Sequence, residues 1–102
     1  MKERLKNRPI KVVTLDLSGF RYLGELHLYL KEKLGFPDFY GENLDALWDC
    51  LWGFMYVPAE ITIIYHPKTK GAEELREEVE KIVGIFRRAE KEFDEIIVHV
   101  DM

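Results

Sequence analysis

Asp45 and Asp49 stand four residues apart in "FYGENLDALWDC", residues 39 to 50, with Glu42 just before them and Trp48 between them. On a helix this spacing places both carboxylates on one face. Such a pair serves an acid/base couple, a carboxylate metal site, a protein-binding face or a plainly solvated one. Like charges at i, i+4 cost roughly 0.2–0.5 kcal/mol in an isolated helix, so the pair is either tolerated or used. The surroundings sharpen the choice. Between Leu34 and Pro67 there is no Lys or Arg, while Asp38, Glu42, Asp45, Asp49 and Glu60 supply five negative charges against a net charge of −4 for the whole chain. The excess is therefore concentrated in the middle of the sequence. A field of one sign attracts a partner of the other and repels nucleic acid, which points to a basic protein rather than RNA or DNA.

Other chemistry finds little support. Ser18 is the only serine and has no histidine close in sequence, and Cys50 falls mid-helix, away from a terminus that would activate its thiol. His27, His66 and His99 are scattered and show no metal-ligand spacing. The reading is of a protein with no catalytic residues, no metal and no cofactor. A small enzyme or metal protein built on Asp45 and Asp49 stays as a third alternative, behind two binding functions.

The elements that must position these residues follow from periodicity. With 102 residues, 47% apolar and 33% charged, the chain has the composition of a folded globular protein and the length of one domain. Residues 1 to 11 are basic and unpatterned, an extension; 12 to 102 read as a single domain. "KVVTLDL", "EITIIYH" and "EIIVHV" are apolar runs that suit strands buried on both faces. Leu23, Leu26, Leu30 and Leu34 recur at helical spacing, with Gly35 as the cap. Asn43 is a good N-cap for "LDALWDCLWGF", with Gly53 beyond its end, and Gly41 before it provides a residue able to take positive φ. The longest helix carries Leu75, Val79, Ile82, Val83, Phe86 and Phe93 on one stripe. The expected fold is α/β, a three-stranded parallel sheet flanked by three to four helices. One cysteine, an N-terminus without an apolar leader and no run of about 20 apolar residues point to the cytoplasm and away from a membrane.

In the second helix, Leu44, Leu47 and Leu51 with part of Trp48 form the core-facing stripe, which turns Asp45, Asp49 and Trp52 outward. Exposed aromatic rings among carboxylates have the make-up of an interface. "YGENLDALWDCL", Tyr40 to Leu51, resembles the signature helix of the barstar family, intracellular inhibitors of barnase-type ribonucleases. Weaker similarity runs through "ELHLYLKEKLGFP" and "VGIFRRAEKEFDEIIVHV", so that the resemblance covers residues 12 to 101. It implies a one-to-one complex with a basic barnase-type ribonuclease, made by a protein that is a monomer when free. It also implies contacts from Phe39, Asn43, Asp45, Trp48, Asp49, Gly53 and Phe54. In that resemblance Asp49 meets the groups that bind the scissile phosphate, Asp45 pairs with a second cation, and Phe39 packs on the catalytic histidine. Three positions depart from the family pattern: Phe39 replaces a tyrosine, Trp52 a threonine and Phe54 a tryptophan. A peripheral family glutamate aligns near Arg76, and "HPKTKGAEELR" shows no clear match to the family's short third helix. The alternative is a barstar-fold interaction or immunity protein directed at a different basic protein or toxin domain.

Overall fold

Alternating side chains build the sheet. The structure, a computed structural model, describes residues 9–38, 40, 41, 43–68 and 70–102. Strand β1 (Lys11–Asp16) buries Val13 and Leu15, β2 (Ala59–Ile64) buries Ala59, Ile61 and Ile63, and β3 (Ile96–Asp101) buries Ile96 and Val98. The strands are parallel in the order β1-β2-β3, with Val13 level with Ile61 and Ile61 with Val98. Helices α1 (Leu23–Leu34), α2 (Leu44–Phe54) and α3 (Arg76–Glu92) complete the α/β fold, three in number among the described residues. Lys11, where the extension and the run "KVVTLDL" overlap, belongs to β1 as that run predicts, its N–H bonded to Pro58 O at 3.0 Å.

Burial on both faces does not hold. Val12 is 68% and Ile97 50% exposed, and the outward residues of β2 are only half-buried. When strand order follows chain order, right-handed crossovers all fall on the same side, which leaves the other face open. An apolar run records neither the number of crossovers nor their side. Polar groups occupy part of that open face: His99 Nε2 lies 2.7 Å from Glu60 Oε2, and where the strands end His66 Nε2, just past β2, lies 2.8 Å from Oδ1 of Asp101, the last residue of β3.

The covered face meets α1 through Leu26 and Leu30 and α3 through Val79, Ile82, Phe86 and Ala89, all fully buried. Gly35 ends α1 in the left-handed conformation, φ 69°, as its spacing predicts. Leu75 lies in a 3₁₀ turn, Ala72–Leu75, that leads directly into α3, so among the described residues the "HPKTKGAEELR" region yields this turn rather than a further α-helix. Gly71 opens it at φ 93°, a conformation that favours glycine.

The outer edge of β3 is closed by α3. Glu90 accepts the Val98 N–H at 2.7 Å, while Arg87 donates to Val98 O at 2.8 Å and to Glu90 at 3.1 Å. These bonds occupy edge groups that a further strand could otherwise pair. The Val98 N–H, opposed by partial burial and aided by Arg87, holds the Glu90 carboxyl below its usual 4.5. A depressed carboxyl pKa contributes stability above its unfolded value and loses it as pH falls through the folded one. Below pH 4.5 the wild type should therefore lose stability more steeply than Glu90→Gln, which urea midpoints measured between pH 7 and pH 3 will check.

Candidate functional site

Asn43 organises the acidic face. Its Oδ1 accepts the Ala46 N–H at 2.8 Å, capping α2, and its Nδ2 donates to Gly41 O at 3.2 Å, tying the preceding turn to the helix. Such a cap contributes about 1 kcal/mol. Gly41 does not adopt positive φ, contrary to expectation; a Cβ there would stand 3.4 Å from both Ala46 Cβ and Asn43 Nδ2, which is van der Waals contact. Gly53 lies within α2, which continues to Phe54 and is capped by Met55, one residue further than the glycine suggests.

The turn before α2 is anchored from behind. Tyr40 is buried, its ring 5.3 Å from that of Phe36, and its hydroxyl lies 2.7 Å from His27 Nδ1. His27 Nε2 in turn lies 2.9 Å from Glu78 Oε2. One tautomer satisfies both contacts: Nε2–H donates to the carboxylate and Nδ1 accepts from the phenol. Three segments, α1, the turn and α3, are thereby joined through one imidazole that is 2% exposed. A notch of about 410 Å³ beside this junction is lined by His27, Asn43, Leu44, Asp45 and Glu78 among others, and places Asp45 against it.

Round α2 the helical phase separates two jobs. Leu47, Cys50 and Leu51 are buried, and Leu44 is partly so. Asp45, Asp49 and Trp52 face solvent, and Trp48 sits half-buried at the margin. Trp48 and Trp52 meet edge-on at 5.9 Å, and Trp52, although 53% exposed, packs edge-on against Phe93 at 4.4 Å. The carboxylates are treated differently from their acidic neighbours. Asp38 pairs with Lys31 at 3.2 Å and Glu60 with His99, whereas no ion pair among the described residues involves Asp45 or Asp49. Burial, then the adjacent Asp49 charge, pushes the Cys50 thiol up, which suits an inert core residue rather than a nucleophile. No cluster of metal-ligating side chains occurs among the described residues.

A family model described as "Barstar (barnase inhibitor)" matches residues 10–101. The chain belongs to the barstar family. A curated relative from Bacillus subtilis (strain 168), named "Putative ribonuclease inhibitor YrdF", is 44% identical over 54 residues, which are 53% of this chain and 59% of that protein. The chain thus spans somewhat over half the length of that relative.

Within this barstar-family chain, six of the residues implicated by resemblance lie along α2 or cap it: Asn43, Asp45, Trp48, Asp49, Gly53 and Phe54. Phe54 closes the helix; Phe39 and the Phe54 side chain lie outside the described residues, as does Glu42. Arg76, at the start of α3, stands over the Tyr65 ring at 5.1 Å. It is Arg88, about 18 Å further along that helix at 1.5 Å per residue, whose guanidinium covers Trp48 at 4.3 Å from the ring centroid. Sequence reasoning missed both Arg88 and the His27–Glu78 contact. Each joins residues 40 or more positions apart, for which a single sequence carries no signal. Among the described residues no helix is long and apolar enough to cross a membrane.

Proposed function

We propose that this protein inhibits a barnase-type ribonuclease by one-to-one occlusion, acting in the cytoplasm as a monomer that presents α2 and its preceding turn to the nuclease active site. The observation that carries this reading is the pair Asp45 and Asp49, set on one exposed face beside Trp48 and Trp52 without an internal cation among the described residues. A nuclease must hold a cationic pocket to bind phosphate, and prealigned carboxylates fill that pocket while offering no bond to cleave. Asp49 takes the centre and Asp45 a second cation. Asn43 fixes the helix start, Gly53 and Phe54 form the far edge, and Phe39 covers the catalytic histidine, as the family resemblance implies. Family membership and the name of the Bacillus subtilis relative support the inhibitory role.

Titration of the purified protein into RNA cleavage assays with a panel of barnase-type nucleases should abolish cleavage by at least one of them near equimolar ratio. Unaltered cleavage by every member of the panel sinks the proposal. In that case capture of a basic non-nuclease protein would favour the immunity or interaction role.

A further inference from the structure

We propose that Arg88 is a specificity determinant of the inhibitory face, pairing with a carboxylate on the nuclease and so selecting nucleases whose cationic pocket has an acidic residue at its border. The inference rests on the inhibitor reading above. Arg88 reaches the face through Trp48: the two tryptophans and the two aspartates occupy one side of α2, and Trp48 forms the margin nearest α3. With its guanidinium 4.3 Å from the Trp48 centroid, Arg88 sets one positive charge at the border of an otherwise anionic surface.

That charge is held in place and remains available. The ring lies beneath it and Glu92 beside it, the Nε–Oε1 distance being 3.5 Å, yet the side chain is 63% exposed. A guanidinium carries five N–H donors in a fixed fork. Among the described residues the hydrogen bonding of Arg88 uses Nε alone. Its neighbour Arg87 differs, since its Nη1 is spent on Val98 O and Glu90. Nor does Arg88 form an ion pair with Asp45 or Asp49, so it does not neutralise the face it borders. Against a uniformly basic partner this cation would be repulsive. A pre-oriented fork opposite a carboxylate instead gives a bidentate contact that such a partner must possess to bind well.

The sign of one substitution tests the idea. Arg88→Glu adds acidity to an acidic face, so a uniformly basic nuclease would bind it more tightly than the parent. If a carboxylate faces Arg88, the same change weakens binding, by roughly tenfold or more for a close charge pair, and the loss shrinks as salt is raised. Inhibition constants would be measured with the barnase-type nuclease that the parent inhibits in the panel assay. Arg88→Gln, which keeps a side-chain stem over Trp48, serves beside it with an expected smaller loss, and circular dichroism verifies that both variants are folded. Unchanged or tightened inhibition by folded Arg88→Glu overturns the inference while leaving the inhibitor reading intact. A parent that inhibits no nuclease removes that reading, and this one with it.

Discussion

Asp49→Ala is expected to weaken the complex with the inhibited nuclease by several kcal/mol while leaving the free protein folded. The two parts of this prediction have separate physical sources. Asp49 is exposed and makes no ion pair among the described residues, so its removal takes little from the fold; surface substitutions of this kind usually fall within about 0.5 kcal/mol. In the complex the same carboxylate would be desolvated against the groups that bind phosphate. Truncation there leaves buried cations uncompensated, and hot-spot losses run from about 2 kcal/mol upward, a range whose top comes from barnase–barstar itself. Urea denaturation and inhibition constants on the same preparation separate the two effects. Inhibition by Asp49→Ala equal to that of the parent would remove Asp49 from the centre of the interface. Asp49→Asn keeps the shape and removes the charge, so it should lose most of the same affinity if charge mimicry is the mechanism.

The residues of this face were legible because they obey local rules. Asn43 announces a helix start by side-chain chemistry, and the 100° step per residue is sufficient to send Leu47 and Leu51 inward and Asp45, Asp49 and Trp52 outward. The parallel sheet was legible for the same reason, from three apolar runs separated by helical spacing. What escaped depends on which elements become neighbours. Val12 and Ile97 belong to runs as apolar as buried strands, yet they face solvent because the helices lie on the opposite side. Arg88 reads in sequence as one more charge on a charged helix; only the packing of α3 beside α2 lays it on Trp48. Gly53 shows the limit of the local rules themselves, since a glycine near a helix end is compatible with both a cap and a continuing turn.

His27→Ala is expected to lower the stability of the protein by about 2–4 kcal/mol, through the cavity it creates and the loss of partners to polar groups, and to weaken inhibition beyond what lost stability explains. The imidazole is buried, so its removal leaves space that the surrounding α1 and α3 side chains can only partly refill. It also deprives the Glu78 carboxylate, itself largely buried, of the contact at 2.9 Å, and the Tyr40 hydroxyl of the contact at 2.7 Å. The functional consequence comes from the Tyr40 end. Tyr40 belongs to the turn that delivers α2, and Asn43 couples that turn to the first residues of the helix through Gly41 O. Loosening the turn raises the conformational cost of aligning Asp45 and Asp49 with a rigid cationic pocket, and that cost is taken from affinity. Two controls separate positioning from stability. Tyr40→Phe keeps the ring against Phe36 and His27 but removes the hydroxyl's contact with the imidazole, so its effect on inhibition should exceed its effect on the urea midpoint. A core truncation remote from the turn, Val98→Ala on β3, should do the reverse. Were His27→Ala and Val98→Ala to reduce inhibition equally at equal loss of stability, the imidazole would be an ordinary core residue and not the fastening of the binding turn.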